Sequence, residues 1–296
     1  MRPGRPGRPG ALLTPTWLML GLFFVVPLAM IFLVSFAQRG MVGGLAPIDD
    51  LWEWIVSGAA FRNYARSFDS LYLLIHWRSL WVAALTTILC LLIAYPIAYY
   101  IARVAPARRR NLLLGLVVVP FWTSFLIRTY AWMFILSNEG ALNTVLLQLG
   151  LIDQPLDILY SPLAVMIGLV YGELPFMILP LYASLEKLDG ALLEASADLG
   201  AAPAATFFRV TVPLSMPGIV AGVVLVFIPS VGQFIVSDLL GGSQTMLIGN
   251  AIQNQFSEAR NRPFGAALAI ELMAMVMALL IAYALYARRK GMEAAL

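Results

Sequence analysis

Four ionisable residues lie within, or at the end of, long apolar stretches of this sequence: Arg128, Glu173, Asp238 and Glu271. A charged side chain inside a bilayer costs at least about 2.5–3.5 kcal/mol on insertion scales, so each needs a partner or a wet cavity. Carboxylates and aromatic faces both attract ammonium groups, so these stretches could form a path for a small organic cation. The aromatic faces available in the same regions belong to Trp122, Tyr130, Tyr171 and Phe234.

A structural role is the alternative for these charged groups. Arg128, as a cation, is a poor ligand for another cation, and it could instead pair with Glu173 or Glu271 and lock helices together. Asp238 lies at the end of its stretch and could equally be a helix-end residue. Glu173 stands close to Pro175, where a helix would be weakened, and is therefore the favoured residue of the path.

The sequence contains few of the residues and motifs that catalytic and metal-binding sites require. Cys90 and His76 are the only residues of their kinds, which excludes an internal disulfide and a cysteine metal cluster. Neither Lys187 nor Lys290 follows a Gly-rich run of the form G-x-x-x-x-G-K-[ST], so the chain cannot itself cradle nucleotide phosphates. Complete G-x-S-x-G and H-E-x-x-H motifs are absent too, and the sequence predicts no catalytic site, metal or cofactor.

The elements that position these groups are predicted to be membrane-spanning helices. Hydrophobic residues make up 61% of the chain and charged residues 12%, with a mean hydropathy of +0.85. Soluble domains are about 45–50% apolar and about 25% charged, so lipid must be part of the solvent. About 20 apolar residues cross a bilayer core. Six stretches are long enough, at 14–37, 79–102, 112–136, 161–182, 214–237 and 265–287, which predicts an all-α polytopic membrane protein.

Two features qualify this set of spans. Pro175 and Pro229 are predicted to interrupt the fourth and fifth, which a membrane protein tolerates where neighbouring helices or water satisfy the freed carbonyls. The tail 1–13 begins with a run too rich in proline and glycine to be a helix. The apolar run after it is too long for a signal peptide and lacks a clean cleavage site, so it is retained as a span.

Basic residues predict the orientation of the transmembrane region 14–287. Arginines and lysines cluster in the tail 1–13, after the second and fourth spans, and in the tail 288–296, all on one side of a six-span chain. Both termini are therefore predicted to be cytoplasmic. In the outer loop 38–78, apolar residues recur three to four apart, which predicts short amphipathic helices. These either cap the bundle or form a docking surface for an outer partner.

The connection at 183–213, on the predicted cytoplasmic side, is long and patterned. Apolar residues recur three to four positions apart, at Leu188, Leu192, Ala195 and Leu199. This spacing predicts a short helix with one apolar face. Gly200 is expected to end that helix, and Pro203 suits the first turn of a second one. The apolar stripe would need a cover, which either another protein or the chain's own bundle could provide.

Part of this 183–213 segment resembles the EAA loop of ABC importer permeases, E-A-A-x3-G-x9-I-x-L-P. The matching residues are Glu194, Ala195, Ser196, Gly200, Val210, Thr211, Val212 and Pro213. Every offset is kept, and the departures at Ser196, Val210 and Val212 are small or close in volume. The resemblance implies a type I ABC importer permease fold with six spans and a cytoplasmic coupling helix.

The family resemblance also implies partners. In such permeases this loop sits in a groove of an ATP-hydrolysing subunit, so Glu194 to Gly200, Asp198 included, are expected to contact a separate ATPase dimer that binds the ATP. A second permease subunit, of a different chain, and a periplasmic substrate-binding protein are expected as well. The setting implied is a bacterial inner membrane, with lipid but no nucleic acid as a partner.

Further stretches extend the resemblance along most of the chain, toward spermidine/putrescine permeases and the first of their two permease subunits. They are Phe121–Ser124, Leu126–Trp132, Gly168–Tyr171, Leu174–Met177, Glu186–Asp189 and Ser237–Gly242. The resemblance implies a polyamine as the transported cation. A permease for another small solute is the alternative, since such proteins share part of the pattern. An ion-coupled transporter would often show inverted repeats, of which none is evident, and a scaffold would leave the intramembrane charges unexplained.

Overall fold

The computed structural model describes residues 9–40, 44–47 and 50–289. Within these ranges the chain is helical apart from turns and an isolated bridge between Arg39 and Leu45. The α-helices are α1 (Pro9–Leu20), α2 (Val26–Phe36), α3 (Leu51–Val56), α4 (Arg62–Ser67), α5 (Ser70–Tyr99), α6 (Ala107–Val118), α7 (Phe125–Leu136), α8 (Ala141–Gln148), α9 (Pro162–Glu186), α10 (Gly190–Asp198), α11 (Pro203–Thr206), α12 (Val212–Leu214), α13 (Met216–Gly232), α14 (Ile235–Gly241), α15 (Ile248–Ser257) and α16 (Arg262–Arg289). π-Helical turns join α1 to α2, extend α5, and join α11 to α12.

Four helices are long and apolar enough to cross a membrane: Thr14–Phe36, Ser70–Val104, Pro162–Glu186 and Arg262–Leu285. Two bent helix pairs add further apolar length, and they are Ala107–Trp122 with Phe125–Gln148 and Pro203–Leu214 with Met216–Gly232. If each pair forms one broken span, up to six spans result by length and composition. Each of the six predicted stretches overlaps one of these segments, so the predicted all-α membrane fold is confirmed.

The breaks in the spans differ from those predicted. Pro175 and Pro229 do not interrupt their helices, because α9 and α13 each run through the proline and neighbouring helices can satisfy the freed carbonyls. The third span instead bends by 91° at residues 123–124, and the fifth bends by 65° at Ser215. Thr123 and Ser124 have extended backbone, which ends one helix before the next begins.

Two predicted boundaries also need correction. Helix α5 begins at Ser70, so the predicted outer loop 38–78 ends earlier than expected, although it does contain the short helices α3 and α4. Hydropathy marks where a helix becomes apolar rather than where it starts. Helix α1 begins at Pro9, inside the tail predicted to be non-helical, and proline is tolerated in a first turn because no intrahelical bond needs its N–H. The tail residues Arg2, Arg5, Arg8 and Lys290, and Asp49 of the outer loop, lie outside the described ranges.

The chain divides into two compact units. The first consists of Met1–Leu73 and Ile252–Ala274, and the second of Leu74–Ala251 and Met275–Leu296. In the first unit, the side-chain amide of Asn63 donates to the backbone carbonyls of Ser35 and Ala37, both at 2.8 Å. These bonds hold the end of α2 against α4.

Helix α9 lies at the centre of the second unit, since it contributes to both buried clusters described there. One cluster joins it to α5 and α13, through Cys90, Ala94, Tyr95, Ala98, Ala102, Met177, Ile178, Leu181, Leu185 and Val226. The other joins it to α7 and α14, through Leu136, Ala164, Val165, Leu169, Val236 and Leu240. Gly218 permits the close approach of α13 to α9, because a Cβ there would lie 2.6 Å from the carbonyl oxygen of Pro180.

Candidate functional site

Helix α10 in the 183–213 segment has a defined start and stop. Its N-terminus is capped by Asp189, whose Oδ1 accepts a hydrogen bond from the backbone N–H of Ala191 at 3.0 Å. At its C-terminus Gly200 takes a left-handed conformation with φ of +79°. The N–H of Ala201 donates to the carbonyl of Ser196 at 3.1 Å, the bond that typifies a Schellman motif. The predicted helix and its glycine stop are confirmed.

The outer face of α10 is uncovered. The helix has no buried residue, and Leu199 leaves 89% of its surface exposed. The motif residues that share this exposure are Glu194, Ala195, Asp198, Gly200 and Pro213, whereas Ser196 and Val210 are half-buried. The Ser196 and Thr206 hydroxyls are hydrogen-bonded at 2.8 Å, which holds α10 to α11. The stripe prediction is wrong at Leu188, which precedes α10 and packs against the cluster of α5, α9 and α13.

Sequence reasoning missed the residues that attach this segment to the membrane helices. Arg103 donates from Nη1 to the carbonyl of Leu188 at 2.8 Å, and Tyr95 is hydrogen-bonded to Ser215 at 2.8 Å. Both belong to α5 or to the π-helical turn that extends it. A weak signal existed for Arg103, since it is the first basic residue after the second apolar stretch.

Glu173 is the buried acid of the second unit. Only 6% of its surface is exposed, and its Oε2 has no hydrogen-bond partner among the residues that the structure describes. It lies in the middle of α9, one turn after Val170, whose carbonyl faces the thiol of Cys90 on α5 at 3.6 Å. A carboxyl group left unpartnered in an apolar interior is costly, and such groups in membrane helices usually mark a functional position.

Arg128 lies in an aromatic environment. Its guanidinium carbon lies 4.2 Å from the ring centroid of Phe121 and 5.8 Å from that of Phe125. Its Nε and Nη1 are buried with no hydrogen-bond partner in the described ranges. Neither of these two nitrogens is hydrogen-bonded to Glu173, and the contacts described for the guanidinium are cation–π contacts.

The remaining aromatic and acidic candidates lie around α7, α9 and α14, which pack against one another. Tyr171 of α9 packs edge-on against Trp132 of α7, with 5.4 Å between the ring centroids. Trp122, in the turn before the 91° bend, is 84% exposed. Tyr130, Phe234 and Asp238 are exposed as well. Seven of the eight residues predicted for the path thus lie in the second unit.

Glu271 is the exception among these candidates. It lies on α16 in the first unit, where it accepts a hydrogen bond from the hydroxyl of Ser67 on α4. This contact joins two helices of its own unit and is consistent with the structural alternative for Glu271. Its position in the sequence, within an apolar stretch, could not distinguish it from Glu173.

Comparison with known proteins places the chain in a family. Residues 94–291 match the family described as binding-protein-dependent transport system inner membrane component. The chain is 44% identical over 268 residues to the spermidine/putrescine transport system permease protein PotB of Haemophilus influenzae, covering 90% of this chain and 89% of that protein. It is 46% identical over 267 residues to PotB of Escherichia coli K12, covering 90% and 92%.

A solved structure supports the same fold. The crystal structure of a bacterial alginate ABC transporter, in complex with an alginate pentasaccharide-bound periplasmic protein, contains a chain that aligns with a TM-score of 0.73. The alignment covers 94% of this chain and 93% of the other, at 16% sequence identity. With the family match and the two relatives, it follows that this chain belongs to the inner-membrane permease subunits of binding-protein-dependent ABC importers, which are transport components rather than enzymes.

Proposed function

We propose that this permease subunit carries a polyamine of the spermidine or putrescine type across the inner membrane. The observation that carries the proposal is the identity of 44–47% over 90% of the chain to spermidine/putrescine permeases. Glu173 supports it from the structure, because its buried Oε2 has no hydrogen-bond partner among the described residues and so suits a transient cationic ligand. An ammonium group would gain both a hydrogen bond and charge attraction from that group, whereas a neutral solute would gain a hydrogen bond alone.

The path proposed for the cation runs along α7, α9 and α14. Asp238 is exposed on α14 and can attract an ammonium group first, and Glu173 can then bind one deeper within the helices. The ring of Tyr171, held edge-on by Trp132, adds a face that favours cations. Arg128 is retained over Phe121 and would repel a polyamine, so it is proposed to border the path rather than to bind the substrate.

The energy is proposed to come from a separate ATPase dimer that docks on α10. Leu192, Ala195 and Leu199 form an uncovered apolar stripe there, with Glu194 and Asp198 exposed on the same short helix. Apolar side chains that a folded chain leaves exposed in a row commonly mark a protein interface. ATP would bind to that partner. A second permease chain and a periplasmic binding protein complete the importer, and both termini of this chain would be cytoplasmic.

Reconstitution in vesicles tests the proposal. This chain, the second permease, the ATPase and the binding protein are reconstituted, and uptake of labelled spermidine, putrescine and a neutral sugar is followed with and without ATP. ATP-dependent uptake of a polyamine but not of the sugar is expected. The polyamine assignment fails if the complex transports only the neutral solute, and the importer assignment fails if an ion gradient alone drives uptake without the ATPase.

A further inference from the structure

Helix α5 contacts the entrance of the 183–213 segment through Arg103. This residue lies in the π-helical turn Tyr100–Val104, and its Nη1 donates to the carbonyl of Leu188 in the turn between α9 and α10. A Cβ added to Gly190 would lie 3.9 Å from its Nη2, so the guanidinium lies against the first residue of α10. Carbonyl groups after a helix end lack intrahelical partners, and Arg103 satisfies one of them.

The exit of the segment is also held by α5. The hydroxyl of Ser215 donates to the carbonyl of Val212 at 3.0 Å, so Tyr95 is the donor in the 2.8 Å bond between Tyr95 and Ser215. Ser215 is the residue at which the fifth span bends by 65°. Tyr95 and Tyr99 also pack edge-on against Phe207, with ring centroids 5.3 and 6.1 Å away.

Helix α10 itself has little hold on the membrane helices. It has no buried residue, and it packs on α11 and on the π-helical turn Phe207–Thr211. A displacement of α10 can therefore reach the spans through the turn before it, and through the π-helical turn and the bend that follow it. Helix α5 and its π-helical extension contact the chain on both of these sides. Helices α5 and α9 share a buried cluster, so a force applied at both ends of the segment moves a packed pair.

We infer that α5 receives the movement of α10 and that Arg103 and Tyr95 are the positioning residues that transmit it. The inference rests on the proposed docking of an ATPase on α10. Arg103 ties α5 to the turn that precedes α10, and Tyr95 ties it to the bend that follows the segment. Without these bonds the ATPase would still bind α10 and hydrolyse ATP, but the turns would absorb the displacement and less substrate would cross per ATP.

The test compares transport with ATP hydrolysis in the reconstituted importer. The variants are Arg103→Ala, Arg103→Lys, Tyr95→Phe and the double variant Arg103→Ala/Tyr95→Phe. Arg109→Ala serves as the matched control, because Arg109 is an exposed arginine just beyond the same turn. For each, ATPase binding, ATP turnover and polyamine uptake are measured. Tyr95→Phe removes only the hydroxyl bond and keeps the ring against Phe207, which guards against a folding defect.

Arg103→Ala and Tyr95→Phe are expected to keep ATPase binding and turnover within about twofold of wild type and to lower uptake per ATP by about 2- to 30-fold, the range of measured coupling effects. Arg103→Lys should recover part of the loss, and Arg109→Ala should behave as wild type. The inference is overturned if uptake per ATP is unchanged, if the control falls equally, or if uptake falls only with loss of ATPase binding. Failure of the wild-type chain to bind the ATPase would instead overturn the proposed docking.

Discussion

The face of α10 and the interior of α9 depart from ordinary burial in opposite ways. At the C-terminal end of α10, the apolar side chain of Leu199 is almost fully exposed. On α9, the carboxyl group of Glu173 is almost fully buried, and one of its oxygens has no hydrogen-bond partner among the described residues. Neither arrangement stabilises an isolated subunit, because exposed apolar surface and buried unpaired polar groups both cost free energy.

The difference indicates what each region binds. An uncovered apolar stripe with charged neighbours suits a protein surface that buries it for as long as the complex lasts. A lone buried acid suits a small cation that arrives and leaves. The first region should therefore govern assembly, and the second should govern substrate passage with little effect on assembly. Substitutions in one region should leave the function of the other intact.

The largest effect is expected for Leu199→Asp. A charge placed in an interface that would bury Leu199 must be desolvated without a partner, so ATPase binding should weaken by roughly 100-fold. Affinity of the ATPase for the purified permease pair checks this, with thermal stability as the test of folding. Leu199→Met is the matched control and should bind nearly as wild type. Equal binding by both variants would show that the stripe is not the docking surface.

A smaller effect is expected for Glu173→Gln. The amide keeps the size of the side chain but loses the attraction for an ammonium group, so polyamine uptake should fall by roughly tenfold. Thermal stability should stay level or rise, because an unpartnered acid is removed from the interior. ATPase binding should be unchanged. Glu186→Gln, an exposed acid on the same helix, is the control. If thermal stability falls together with polyamine uptake, Glu173 has a structural role instead.

The helix stop of α10 offers a finer test. Gly200 has φ of +79°, and no heavy atom lies within 4 Å of the place that a Cβ would take, so alanine there meets backbone strain but no clash. Gly200→Ala should cost about 1 kcal/mol of local stability. It should also weaken ATPase binding, but by a several-fold smaller factor than Leu199→Asp does. Gly200→Asn, which tolerates this conformation better, should recover part of the loss. Identical binding by alanine and asparagine variants would contradict the strain argument.

The smallest effect is expected for Ser196→Ala. This change removes the hydroxyl bond to Thr206, which is worth about 1 kcal/mol or less. It also restores the alanine of the E-A-A form, so ATPase binding should weaken by at most about fivefold, which corresponds to that free energy. Thr206→Val is the companion change and should give the same result. A much larger loss in either variant would show that the pair contacts the ATPase directly.

Local features are predicted well where the chemistry is itself local. The glycine stop after α10 and the proline that opens α11 follow from capping and turn preferences, which depend on residues a few positions apart. The second span is predicted to start at 79, whereas α5 begins at Ser70, because an apolar window locates the most hydrophobic part of a helix rather than its first turns. The prediction for Leu188 is wrong for a similar reason, since the periodicity extends beyond the start of α10.

The sequence by itself determined that this is a six-stretch membrane protein with an importer-type loop, since length, hydropathy and fixed motif offsets are properties of the chain alone. Its orientation and the roles of its charged residues stay predictions. Only the tertiary structure decided that Arg128 lies over Phe121 and that Glu271 is hydrogen-bonded to Ser67 in the first unit. It also decided that α5 and its π-helical extension are bonded to Leu188 before α10 and to Ser215 after it. These contacts join residues from 7 to 204 positions apart in the chain, and most lie far beyond the reach of any local periodicity.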